Sequence, residues 1–309
     1  MFDVCCVGII CADVLAKPVD ALPESGKLSL IDILNLEIGG CASNAAIDMA
    51  KLGINTAIIT KIGQDGFGKF LHGVLEDNKV NTDGVIVDKN VPSSASVVAI
   101  GSNSERTVLH CLGANAEFTF SEIDLEIIKK SKILFIAGTF LMPKFDGDGT
   151  LQLLKMAKET GIVTCLDTAW NSQGTWNKIN DSLPFIDWFM PSYEEACEMT
   201  SQTEPAKIAN TFAEMGSRNI IIKLGSKGCF VKLFEEEGFF VSGYKVNAID
   251  TSGAGDSFCA GFITGLAKGW DIKKASKFAN AVGANCVTSI GTTTGIKSLK
   301  HIEKFMMEN

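Results

Sequence analysis

The chain has three histidines and, although it carries ten cysteines, no CxxC pair. Its cysteines are scattered through apolar runs, Cys5, Cys6, Cys41, Cys165, Cys229, Cys259 and Cys286 among them. Disulfide frameworks and structural zinc sites need clustered ligands at regular spacing, so both are excluded, and free core thiols in a reducing compartment are expected. A basic surplus is also missing: the formal net charge is -8 and the pI is near 5.0. Binding a nucleic-acid backbone requires a positive surface, so a nucleic-acid partner is excluded. The longest uncharged apolar stretches, such as residues 133–142, are too short to span a membrane. No Lys or Arg precedes Lys17, and Asp3 and Asp13 interrupt the apolar N-terminal stretch, unlike a signal peptide. A soluble, cytoplasmic protein is expected.

What is present is enough apolar sequence for one large core: 46% of 309 residues are hydrophobic. Short β-like runs at 3–8, 56–61, 133–137, 163–167, 188–191 and 219–224 alternate with helix-like segments at 43–52, 66–78, 151–160 and 208–215. Three further helical segments, 256–268, 273–288 and 298–307, close the chain. Such alternation predicts an α/β fold, a doubly wound, mostly parallel sheet flanked by helices, in a single domain over residues 1–309. Residues 14–38 and 93–109 break the rhythm and read as β without intervening helices, with alternation over 27–36. They predict a small inserted sheet, placed either as a lid over ligand or as an edge or dimer surface. The run 235–238 predicts a hairpin turn between strands 229–234 and 239–242.

Two small-residue clusters enter helices. Asp250-Thr251-Ser252-Gly253-Ala254-Gly255-Asp256 lets several backbone N–H groups converge at a helix N-terminus, where an anion is favoured. Asp256, in the first turn, could accept a proton from an attacking hydroxyl. Gly39-Gly40-Cys41-Ala42-Ser43-Asn44 offers close backbone approach to a polyhydroxylated ligand, or else a helix capped by Ser43 or Asn44. No GxxxxGK[ST] occurs, and no GxGxxG follows the first strand, which excludes a P-loop and a dinucleotide fingerprint. His72 and His110 stand alone and read as satisfied surface or core histidines, and Trp170 reads as core more readily than as a stacking platform.

Taken together and in this order, the clusters resemble the ribokinase-like, PfkB family of carbohydrate and nucleoside kinases. The likeness runs from Gly39-Gly40-x3-Asn44 through Gly63-Gln64-Asp65-x-Phe67-Gly68, Gly113-Ala114-Asn115 and Lys223 to Gly228, then Asp250 to Gly261 and Asn280. It implies transfer of the γ-phosphate of ATP, with Mg²⁺, to a hydroxyl of a small sugar. In that resemblance Asp256 is the base, and Gly253, Ala254 and Gly255 form the anion hole. Asp13, Gly39, Gly40 and Asn44 hold substrate hydroxyls, while Lys223, Gly225, Ser226, Gly228 and Asn280 line the nucleotide. Glu195 serves Mg²⁺, directly or through water. Asp250, Ser252, Ser289 and Gly291 stand where relatives bind a monovalent cation such as K⁺, although Gly295 replaces a side-chain oxygen ligand.

The chain departs from the family in ways that bear on its substrate. Ser192 stands where many relatives have Asn, Cys11 and Cys41 replace a ribokinase Asn and Lys, and no glutamate follows Gly138-Thr139-Phe140. Asp167-Thr168-Ala169-Trp170 lacks the Asp-Pro-Asn-x-Arg pattern of fructokinases and ketodeoxygluconate kinases. A sugar kinase is expected, with a nucleoside kinase or a non-catalytic sugar- or nucleotide-binding regulator as alternatives. The expected partners are a small-molecule sugar or nucleoside and, through the lid, a second copy of the chain.

Overall fold

The computed structural model describes residues 1–103 and 105–309; Ser104, inside the expected 93–109 segment, lies outside the described residues. In chain order the strands are β1 (Phe2–Gly8), β2 (Cys11–Lys17), β3 (Ile33–Gly39), β4 (Thr56–Gly63), β5 (Asn81–Asp88), β6 (Ala95–Ile100) and β7 (Arg106–Cys111). They continue with β8 (Ser131–Thr139), β9 (Val163–Thr168), β10 (Trp188–Phe189), β11 (Asn219–Lys223), β12 (Gly228–Lys232) and β13 (Phe239–Ser242). The helices are α1 (Cys41–Lys51), α2 (Gly66–Asp77), α3 (Leu125–Lys129), α4 (Asp148–Glu159), α5 (Tyr193–Thr200), α6 (Pro205–Glu214), α7 (Ala254–Ala267), α8 (Ile272–Cys286) and α9 (Leu299–Glu308). Among the described residues no helix is long and apolar enough to cross a membrane.

β1 shows why the large sheet sits in the middle. Val4 and Cys6 belong to one core, with Phe135 and the inner faces of α1 and α7. Cys5 and Val7 belong to the other, with Leu134, Ile136 and the inner faces of α4 and α6. A strand apolar on both faces can only be covered on both faces, which is the condition for a parallel sheet. The described strands order as β13-β12-β11-β10-β9-β8-β1-β4-β5, parallel except at the β11-β12-β13 edge. The chain turns opposite ways on either side of β1 and β8, so a crevice forms at the carboxyl ends of those strands.

The second sheet, β3-β2-β6-β7, is joined to that crevice by geometry. Only Ile9 and Ile10 separate β1 from β2, and Asn115 holds them there: its Nδ2 donates to the Ile10 carbonyl at 2.9 Å, while its Oδ1 accepts from the Ile10 N–H at 3.4 Å. The alternation over 27–36 is only half realised. Residues 27–32 are not strand, because β2 ends at Lys17, paired to Ile33, and the following Pro18 has no N–H to continue the ladder. Leu28 and Leu30 are accordingly exposed. The strand actually begins at Ile33, its partner β2 begins at Cys11 rather than at residue 14, and β7 extends to Cys111. The ten cysteines are free, as expected, but Cys111 is exposed because β7 is the edge of the small sheet.

Candidate active site

Gly253 is the N-cap of α7 in a left-handed conformation, φ 76°, so the helix starts two residues earlier than the sequence suggests. Ala254, Gly255 and Asp256 occupy its first turn, where backbone N–H groups lack helical partners. A left-handed cap also needs the space that glycine leaves: a Cβ on Gly253 would come 2.6 Å from the Thr292 carbonyl oxygen.

α1 is likewise capped by a glycine, Gly40 at φ 99°, with no side-chain cap. Neither Ser43 nor Asn44 caps the helix. Ser43 Oγ donates back to the carbonyls of Gly39 and Gly40 at 2.6 and 2.9 Å. Asn44 turns across the crevice instead: its Nδ2 donates to Asp256 Oδ2 at 2.8 Å, and its Oδ1 accepts from Thr292 Oγ1 at 2.8 Å. Gly39 needs its missing side chain because a Cβ would run into the Asp13 carboxylate. The two glycine clusters therefore meet, with Asp13, Gly39, Gly40 and Asn44 on one side and residues 253–256 on the other.

Beneath the first turn of α7 lies a charged cluster. Lys223 Nζ donates to both oxygens of Asp167, at 2.6 and 2.7 Å, and sits 3.3 Å from where a Cβ on Gly255 would be. Burial opposes the charge on Lys223, but Asp167 overcomes it and holds the ammonium above its usual pKa, so the pair is ionic. Burial raises Asp256 above the ordinary carboxylate range, while the Asn44 amide and the Lys223 charge pull it back. Glu195 is buried; its Oε2 accepts from Thr168 Oγ1 at 2.8 Å and from the Ser192 N–H at 3.0 Å. Ser192 returns the contact, accepting from the Glu195 N–H at 3.3 Å in a capping box that starts α5. The serine thus fixes the glutamate. Among the described residues, no group of three or more His, Cys, Asp or Glu side chains is arranged to hold a metal.

The remaining sequence candidates fall around this centre. Gly225 and Ser226 are exposed on the turn after β11, and Gly228 packs on the Val241 carbonyl. Asn280 spends its amide on the Val241 and Ser242 carbonyls, both at 3.1 Å, so it braces that wall. Asp250 ties two loops together, its Oδ1 accepting from the Ser252 N–H at 2.8 Å and its Oδ2 from the Gly291 N–H at 3.0 Å, with Ser289 on the same loop as Gly291. Trp170 is not core: it is 55% exposed and lies edge-on to Trp176, which in turn meets Phe140.

Sequence reasoning missed Thr292, Asp48 and Ser257. Ser257 Oγ donates to Asp48 Oδ2 at 2.5 Å, while the other Asp48 oxygen is buried without a partner. Burial pushes the Asp48 pKa up to about 8, against the pull of Ser257 and Lys51. Between its unfolded value near 3.8 and about 8, the folded form holds a proton that the unfolded form lacks, so stability falls as pH rises through that window. Asp48→Asn removes this slope. Urea melts are expected to move in favour of the variant by on the order of 2 kcal/mol from pH 5 to pH 8; parallel wild-type and variant curves would contradict the assignment.

The geometry is matched by similarity across the chain. Fructokinase-2 of Oryza sativa subsp. japonica is 28% identical over 302 residues, covering 91% of this chain and 89% of its own length. A 5-dehydro-2-deoxygluconokinase of Geobacillus thermodenitrificans is 26% identical, covering 98% and 93%. The structure of Arabidopsis thaliana ribokinase complexed with ribose and ATP superimposes with a TM-score of 0.88 at 26% identity, covering 99% of this chain and 98% of that one. The pfkB family carbohydrate kinase model matches residues 1–299, a span that includes both glycine clusters and the charged cluster between them. The chain belongs to the pfkB family of carbohydrate kinases and is a phosphotransferase with an alcohol group as acceptor.

Proposed function

We propose that the protein transfers the γ-phosphate of ATP to a hydroxyl of a small sugar, with Asp256 as general base and the backbone of residues 253–255 as anion hole. The observation that carries this reading is the 2.8 Å bond from Asn44 to Asp256, which sets a substrate-side amide against the one carboxylate at the open end of α7. Asp256 takes the proton of the attacking hydroxyl, its basicity raised by burial. The N–H groups of the first turn of α7 face the developing phosphate charge, and Lys223, fixed by Asp167, adds a positive charge beneath them.

Lys223, Gly225, Ser226, Gly228 and Asn280 form the nucleotide wall in this reading. Asp167 and Glu195 are both buried, and Lys223 is paired with Asp167, so Glu195 is the carboxylate suited to Mg²⁺ and would hold the ion, directly or through water. When bound, Mg²⁺ neutralises charge on the phosphates. A monovalent cation fits less well. Asp250 is committed to two N–H groups, and a side chain at residue 295 would collide with the Asn285 carbonyl, so the loop is one side-chain oxygen short of a ribokinase-type K⁺ site. The small sheet would close over the sugar. Its outer face, where Leu36, Val97 and Leu109 form an exposed row, fits a second copy of the chain.

One observation favours a nucleoside acceptor as the second reading: the exposed Trp170 could stack on a base as well as on a sugar face. A coupled ATP-consumption screen over pentoses, hexoses, keto-deoxy acids and nucleosides tests both. Turnover with a sugar is expected; turnover with nucleosides alone would favour the second reading, and none with any acceptor would favour a silent binder.

A further inference from the structure

The inner face of the four-stranded sheet carries a continuous polar row at its root. Register places Glu37, Asp13, Ser96 and His110 in one row across β3, β2, β6 and β7, and residues paired across a sheet share a face. The next row outward on that face is Asn35, Leu15, Val98 and Val108, mostly apolar. The polar row opens on the catalytic crevice: Glu37 Oε2 is 3.8 Å from where a Cβ on Gly291 would be, and the next residue, Thr292, donates to Asn44.

Hydrogen bonding orients the row. Burial pushes the Cys11 thiol up to about 12, so it stays protonated and donates to Asp13 Oδ1 at 3.3 Å. Ser96 Oγ lies 3.3 Å from that sulfur and 3.0 Å from His110 Nδ1. The ring nitrogen is the better acceptor, which assigns the Ser96 hydroxyl as donor to Nδ1 and places the imidazole proton on Nε2. Burial keeps His110 below its usual pKa despite Asp13, so it is a neutral donor. The row thus offers a neutral donor at its β7 end and two carboxylate acceptors at its β2 and β3 end.

Among the described residues, the two lysines closest to the crevice are already engaged. Lys223 is spent on Asp167, and Lys51 Nζ on the Thr293 carbonyl at 2.8 Å. Lys17 stands four residues beyond Asp13 on the same strand face, about 13 Å farther out. We infer that Ser96 and His110, with Asp13 and Glu37, are the specificity surface of the sugar site, that they bind vicinal hydroxyls of an uncharged sugar, and that they reject sugar acids. This rests on the kinase reading above and narrows its acceptor.

The test uses the full chain and the paired probes D-fructose and 2-keto-3-deoxy-D-gluconate, with neutral pentoses alongside. The best neutral sugar is expected to exceed the acid in kcat/KM by at least about tenfold, the equivalent of one disfavoured charge contact. In His110→Ala the KM for that sugar should rise about tenfold with the KM for ATP unmoved, and His110→Gln, which restores a donor near the Nε2 position, should recover part of the loss. Preference for the acid, or an unchanged sugar KM in His110→Ala, overturns the inference. If no acceptor turns over, the kinase reading fails separately. Calorimetry of sugar binding then decides: neutral sugars bound by wild type and lost in His110→Ala uphold the surface, and binding of the acid alone, or of neither probe, refutes it.

Discussion

Asp256→Asn is expected to keep ATP binding and to lose at least ~10²-fold in kcat, the low end of a general-base contribution. The substitution is isosteric, and its carbonyl oxygen can still accept from Asn44 Nδ2, so the bridge across the crevice at 2.8 Å can survive. What disappears is the ability to take a proton. Removing a partly desolvated charge should leave thermal stability equal or higher, because burial is the largest influence on the Asp256 pKa and disfavours its ionised form. A variant that melts like wild type, binds ATP and turns over normally would remove Asp256 from the chemistry. One that unfolds would show instead that its role is structural.

Gly253→Ala is expected to lower kcat by a similar ~10²-fold, by displacement rather than by lost chemistry. At φ 76° any side chain is strained, at a cost of about 1–2 kcal/mol. The larger effect is steric: the new Cβ would stand 2.6 Å from the Thr292 oxygen and 2.8 Å from its Cβ. Thr292 holds Asn44, and Asn44 holds Asp256, so the displacement reaches the carboxylate through two hydrogen bonds. Gly269→Ala is the control, since Gly269 has φ 67° but open space around its would-be Cβ. It should lose stability by the strain alone and keep its kcat. Equal activity losses in both variants, or none in Gly253→Ala, would show that the contact with Thr292 does not matter.

The parts of the fold that could be read from the sequence are those where a local pattern and the tertiary demand agree. β1, β4 and β8 are apolar runs buried on both faces, and their bounds fall within two residues or so of the expected ones. β5 went unread because only Gly84 in it is buried and it lies at the sheet edge, where little burial constrains its residues. Residues 27–32 alternate as a strand would, yet are not one; whether they pair depends on where β2 stops, which is a property of Pro18 in another segment.

The same division runs through the site. Glycine clusters announce themselves because Gly40 and Gly253 need both positive φ and an absent Cβ. Thr292, Asp48 and His110 carry no such mark. Their meaning comes from partners far along the chain, 248 residues away for Thr292 with Asn44 and 209 for Ser257 with Asp48. His110 looked isolated because its neighbours Ser96, Asp13 and Glu37 are assembled by strand register. Trp170 reads as core because aromatics usually are, but it follows β9 at the carboxyl end of the strand, where it packs edge-on against Trp176 and stays half exposed.

The most direct measurement is the identity of the product. Wild-type protein is incubated with MgATP and each of a panel of sugars, and the acceptor is followed by mass spectrometry while ADP is counted. The expected result is one sugar monophosphate formed in equal amount to ADP, dependent on that sugar and lost in Asp256→Asn. ADP released at the same rate with and without every sugar, or a phosphorylated sugar still formed at the wild-type rate by Asp256→Asn, would contradict phosphoryl transfer at the Asn44–Asp256 crevice.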